Sequence, residues 1–149
     1  MGRVYSITGD QNAAASATVL GVTSAATIRP RLFEIIFGSA ATPADQSFNM
    51  RIRRYTAAGT ATAFTPVLND PGDPPALASA GYNHTVEPTY TAGANLLSFS
   101  VNQQATFRWV VPPDEGLVCP ATAANGLGLE FVVVSGGTAL CEGSFRYAE

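Results

Sequence analysis

The stretch Ser47–Thr56, SFNMRIRRYT, alternates apolar and polar side chains, with Phe48, Met50 and Ile52 falling to one side and Asn49, Arg51 and Arg53 to the other. A period of two is the repeat of a pleated strand; wound into a helix, the same residues would scatter their apolar groups around the axis. One face of this strand belongs in a core and the other meets water or a partner. A second long run, Thr27–Gly38 (TIRPRLFEIIFG), precedes it across a loop of Ser, Ala, Thr, Pro and Asp, so the two are expected to form a hairpin within Ala26–Pro66. Pro30 removes a ladder donor from the first run, which predicts an edge position or a bulge there.

Further runs of β type stand at Arg3–Thr8, Thr18–Thr23, Thr60–Pro66, His84–Tyr90, Leu96–Val101, Thr106–Val111, Leu127–Val134 and Ala139–Tyr147. Breakers separate them, among them Asn69–Pro75, Pro112–Gly116 and Ser135–Gly137. About ten short strands with little helical periodicity predict an all-β fold, an antiparallel sandwich or barrel. A length of 149 residues fits one domain over 1–149, large enough to bury a full core. One short helix is expected over residues 74–80, because Asp73 can cap it, Pro74 suits its first turn and Gly81 its C-terminal stop. The Ala-rich stretch Asn12–Ala17 is too short and too polar-flanked for a helix, and residues 1–17 read as an arm able to extend. Near the C-terminus, Asn125–Gly126 and Gly136–Gly137 bracket Leu127–Val134, predicting a hairpin that sets Leu129, Phe131 and Val133 against Phe145 or Tyr147.

The charge pattern bears on partners. Charged residues make up 13% of the chain, against about 25% in an ordinary soluble domain. All eight basic residues are arginine. Lysine is depleted and arginine enriched where surfaces are buried against other proteins, and a GC-rich genome gives the same bias. A net charge of −3 and a pI near 5.0 argue against nucleic acid as a partner, since displacing counterions from a phosphate backbone needs a basic surface. No apolar run approaches the roughly 18 residues of a membrane span, and no signal peptide is visible, so no membrane partner is expected.

Chemistry is sparse. His84 is the only histidine, and in a strand Glu87, three residues on, points to the opposite face, so His84 reads as a turn residue bonded to backbone. Cys119 and Cys141 lack CxxC spacing and read as small apolar residues, with a disulfide open if their strands pair. Asn69, Asp70 and Asp73 gather oxygens without the spacing of a calcium loop and read as an Asx turn. Phe107 and Trp109 share a strand face and read as core. No metal, cofactor or catalytic set is expected, and the chain reads as a non-enzyme.

The phrases SAATIRPRLFEIIFGSAATPAD, RRYTAAGTATAFTPVLND, NHTVEPTYTAG and TFRWVVPPDEGLVCPATAANGLGL, covering roughly Val22 to Leu129, resemble small virion proteins of tailed bacteriophages, in particular capsid decoration or cement proteins built as β-jelly rolls. The resemblance implies a jelly-roll sandwich and a mechanical role at capsomer junctions on the outer capsid. It implies the major capsid protein as partner, assembly as a homotrimer, and location on the virion after synthesis in the host bacterial cytoplasm. Arg51, Arg53 and Arg54, with Tyr55, are the residues expected to dock, since arginine and tyrosine anchor interfaces most often. The alternatives are a tail or neck component, or a lectin-like jelly roll holding host glycans through Tyr82, His84 and Tyr90.

Overall fold

The computed structural model describes residues 2–134 and 139–149. Twelve strands follow one another: β1 (Val4–Asn12), β2 (Thr18–Thr23), β3 (Arg31–Ala41), β4 (Ser47–Ala57), β5 (Thr60–Phe64), β6 (Val67–Leu68), β7 (Ser79–Val86), β8 (Thr89–Asn102), β9 (Phe107–Val110), β10 (Leu117–Val118), β11 (Gly126–Val134) and β12 (Leu140–Ala148). They form two antiparallel six-stranded sheets in a β-sandwich. Sheet A runs β10-β3-β12-β1-β6, with β9 also paired to β3; sheet B runs β5-β7-β2-β11-β4-β8. The expected all-β sandwich is therefore present, and the short strands β6 and β10, which carry no alternation to read, join it.

The alternation in β4 places Phe48, Met50 and Ile52 in the core, as the sequence predicts. Phe37 of β3 meets Phe48 and Phe131 edge to face at 5.9 Å each, and Phe48 meets Phe131 at 5.3 Å. These three rings knit sheet A to sheet B, and such pairs add about 0.5–1.5 kcal/mol each beyond the area they bury. Tyr5 and Tyr147 stack at 5.6 Å on neighbouring strands of sheet A. Leu129, Phe131, Phe145 and Tyr147 all enter the one core, as expected; the Ser135–Gly137 turn and the Val133 side chain lie outside the described residues.

Five sequence expectations are corrected. β3 and β4 do not pair as a hairpin; the loop between them crosses from sheet A to sheet B, so their apolar faces meet through the core. β11 and β12 likewise lie in opposite sheets. Periodicity reports which face is buried and is blind to which strand lies alongside. Pro30 sits just ahead of β3, where its missing donor costs nothing, and β3 is an interior strand; the Pro30 carbonyl accepts the Cys119 N–H at 2.9 Å.

No helix forms over residues 74–80. Pro75 disfavours helical geometry at Pro74, and the Leu77 and Ala78 N–H groups donate to the Glu149 carboxylate at 3.0 and 2.8 Å. A carboxylate supplied by the far end of the chain thus takes the place of helical acceptors. Nor are residues 1–17 a free arm. β1 pairs with β12 along its whole length, Ala13 is buried, and the backbones of Ser16 and Ala17 bond to Phe131.

Candidate functional site

The four residues expected to dock lie on one strand, and the structure turns most of them inward. Its cause is a long antiparallel ribbon. β4 pairs with β8 and β5 pairs with β7, so β4–β5 and β7–β8 run side by side with short breaks at Ala58–Gly59 and Glu87–Pro88. One half of the ribbon is hydrogen-bonded to β11 and the other half to β2, while β2 and β11 pair with each other. The ribbon must therefore bend across the outer face of the β2–β11 pair. Gly59 takes φ +70° at the bend, and a Cβ there would stand 2.1 Å from the Val86 carbonyl, so only glycine fits.

Under the bend the outer face is floored with glycine. A Cβ on Gly126 would stand 2.4 Å from the Tyr55 ring, one on Gly128 2.4 Å from the Tyr90 hydroxyl, and one on Gly21 3.2 Å from the Tyr55 hydroxyl. Leu127 and Leu129 point into the core, so Gly126, Gly128 and Glu130 face the ribbon. Tyr55 is buried, and its hydroxyl bonds that of Thr23 at 2.7 Å. The Tyr90 hydroxyl bonds that of Thr18 at 2.8 Å, and the Arg53 guanidinium lies 4.6 Å over the Tyr90 ring. Arg53 also donates to both oxygens of Glu130, at 2.8 and 3.1 Å.

Burial pushes the Tyr55 and Tyr90 hydroxyls far above their ordinary value. His84, also buried, donates from Nδ1 to the Thr18 carbonyl at 3.2 Å, and burial holds its pKa below the usual value. His84 therefore bonds backbone as expected, but from within strand β7 and not from a turn. Glu87 beside it is pushed up by burial and by the like charge of Glu130.

Of the expected docking residues, Arg53 and Tyr55 are spent inside this clasp, and the Arg54 guanidinium donates to the Val118 carbonyl at 3.2 Å. Arg51 stays half-buried on the outer face, across from Ser98 of β8. The residues proposed for glycan contact fare similarly: His84 is buried, Tyr90 is half-buried with its hydroxyl bonded to Thr18, and Tyr82 packs against Gly9 and edge-on to Phe64. Cys119 and Cys141 are free, buried thiols, pushed up to about 12 and about 11 by burial. Asp70 closes an Asx turn on the Gly72 N–H at 2.9 Å, Asn69 accepts from the Ser6 hydroxyl and Asp73 faces Arg3 at 3.8 Å. Among the described residues no group of three or more metal-ligating side chains converges.

A different surface presents exposed anchors. On the outer face of sheet A, cross-strand register sets Glu34 beside Val110 and Arg146, and Ile36 beside Arg108 and Ser144. Arg108 reaches Glu34 at 2.7 Å and Arg146 at 3.2 Å, so two guanidinium groups share one buried carboxylate. Ile36 and Val110 are 37% and 50% exposed beside them. At the other end of the same face Asp10 and Glu142 stand directly opposite each other on β1 and β12. The face is thus positive and aliphatic at one end and negative at the other.

Burial alone would raise the pKa of Glu34, but the hydrogen bonds and charges of Arg108 and Arg146 hold it below the ordinary 4.5. A depressed carboxylate stabilises the fold above its unfolded pKa, and that contribution fades as pH falls through the folded value. Glu34→Gln is therefore expected to destabilise at pH 7 and to converge on the parent chain as pH drops from about 5 to about 3. Urea midpoints of both proteins across that range check this; a gap that stays constant down to pH 3 would count against it. Glu87, displaced in the opposite direction, titrates alike in both proteins and cancels from the difference.

Comparison with protein-family models, characterised proteins and solved structures gives no match to this chain.

Proposed function

We propose that this chain is a structural protein of a bacteriophage particle, a decoration protein of jelly-roll type that binds the outer capsid and stabilises it. The reading begins from the resemblance of its sequence phrases to such proteins. The observation that carries it further is the outer face of sheet A, where exposed Ile36 and Val110 stand beside Arg108 and Arg146. Aliphatic groups ringed by arginine are the composition of an anchoring patch, and the Glu34 carboxylate holds both guanidinium groups in place before a partner arrives. Little side-chain freedom remains to be lost on docking. The surface that fits it is apolar at its centre and acidic at its rim.

Labelling purified particles with an antibody to this chain is expected to decorate heads. Label confined to tails would overturn the reading in favour of a tail or neck component. Ile36→Asp with Val110→Asp, both surface changes, is expected to leave the melting temperature nearly unchanged while reducing occupancy on heads at least tenfold.

A further inference from the structure

We infer that the free edge of β8 joins two copies of this chain, antiparallel, about a two-fold axis at Phe99. Among the described residues β8 is the terminal strand of sheet B and pairs with β4 alone. In an antiparallel ladder alternate residues direct both backbone groups to the same side, so half of those on β8 face away from β4. Exposed edges are ordinarily blunted by charge or by proline. Thr89–Asn102, TYTAGANLLSFSVN, contains neither.

The edge has a usable straight part. Register shifts cluster where β8 meets Arg53–Ala57, near Gly93 with φ +71°, and bend the first half of the strand. From Leu97 to Asn102 pairing with Ile52 to Ser47 runs without a slip. Along this part Leu97, Phe99 and Val101 pack against the core yet remain half-buried, because among the described residues no strand pairs beyond them. Sheet A ends on the same side. Phe107 of β9 stacks on Phe99 at 3.7 Å, and Phe107 and Trp109 are half-buried too. Both sheets therefore stop together on a row of partly open apolar side chains.

The sequence of the straight part names the occupant. Leu97-Ser98-Phe99-Ser100-Val101 reads nearly the same in both directions about Phe99. Antiparallel pairing with a second copy sets Phe99 against Phe99, Ser98 against Ser100 and Leu97 against Val101. Apolar groups meet apolar groups and hydroxyls meet hydroxyls, the pairings that stabilise a sheet. A two-fold contact meets each pairing twice and places the groups nearest the axis beside their own copies, so an uncharged strand avoids repulsion there. Arg51 on β4, across from Ser98, would face its copy across about three strand spacings, roughly 14 Å, beyond the screening length at physiological salt. The inference does not depend on the virion role proposed above.

Sedimentation velocity on the full chain over a micromolar range is expected to show twice the 15.5 kDa of one chain. A monomer at the highest concentration overturns the inference, and so does a trimer, the assembly that the family resemblance implies. Ser98→Lys with Ser100→Lys sets lysine against lysine twice across the axis and is expected to abolish the dimer. Ser98→Glu with Ser100→Glu is expected to do the same. Mixing the two variants in equal amounts sets lysine against glutamate and is expected to restore a dimer. Persistence of dimers in either variant alone, or failure of the mixture to pair while circular dichroism shows both folded, overturns this register.

Discussion

Gly126→Ala is expected to lower the melting temperature by about 6–12 °C, the effect of about 3 kcal/mol in a domain of this size. The added Cβ would stand 2.2 Å from the Val22 carbonyl and 2.4 Å from the Tyr55 ring, so backbone and a buried side chain must both yield. Neither has room. The Val22 carbonyl belongs to the β2–β11 ladder, and the Tyr55 hydroxyl is held by Thr23. Gly128→Ala is expected to cost less, because its Cβ meets chiefly the Tyr90 hydroxyl, the far end of one side chain. Tyr90→Phe should then recover about 1 kcal/mol of that loss, a coupling readable from a double-mutant cycle. Gly93→Ala, also at positive φ but facing open space, provides the contrast at about 1 kcal/mol of backbone strain alone. A melting temperature for Gly126→Ala within a degree of the parent would mean that the ribbon does not lie on this glycine floor.

That floor also shows what was legible in the sequence and what was not. The burial of Phe48, Met50 and Ile52 follows from local alternation, and so does the existence of most strands. The fate of Arg53 and Tyr55 does not, because what covers them is a bend in a ribbon built from β7 and β8, far along the chain. From β4 alone, a polar strand face beneath another segment is indistinguishable from one beneath water. A signal was nonetheless present. Gly126 and Gly128 alternate with Leu127 and Leu129 at the start of β11, and glycine inside a strand marks close approach by another group. As the end of an Asn125–Gly126 turn alone, those glycines give no hint of the clasp. The Glu34, Arg108 and Arg146 cluster was illegible for a related reason: its members come from three strands whose neighbours are set by topology. Asp73, Pro74 and Gly81 gave a good local helix signature, and Pro75 together with Glu149 overrode it.

Glu130→Ala is expected to cost about 3–5 kcal/mol, because it leaves the Arg53 guanidinium largely buried without its carboxylate. The side chains of Arg53 and Glu130 are 19% and 9% exposed, so water can solvate the stranded charge only in part. Replacing both partners, Arg53→Met with Glu130→Leu, is expected to return stability to within about 1–2 kcal/mol of the parent, since the desolvation penalty leaves together with the attraction. The small deficit that remains is the lost stacking of Arg53 on Tyr90, about 0.5–1 kcal/mol. Urea unfolding of the two single variants and the double variant measures the coupling directly, and hydrogen exchange at residues 84–90 locates it. If the pair pins the ribbon, Glu130→Ala accelerates exchange there and spares the β3–β12 ladder on the other sheet. A loss below 1 kcal/mol, or exchange that rises equally in both sheets, would mean that the glycine floor and the tyrosine hydroxyls hold the bend without it.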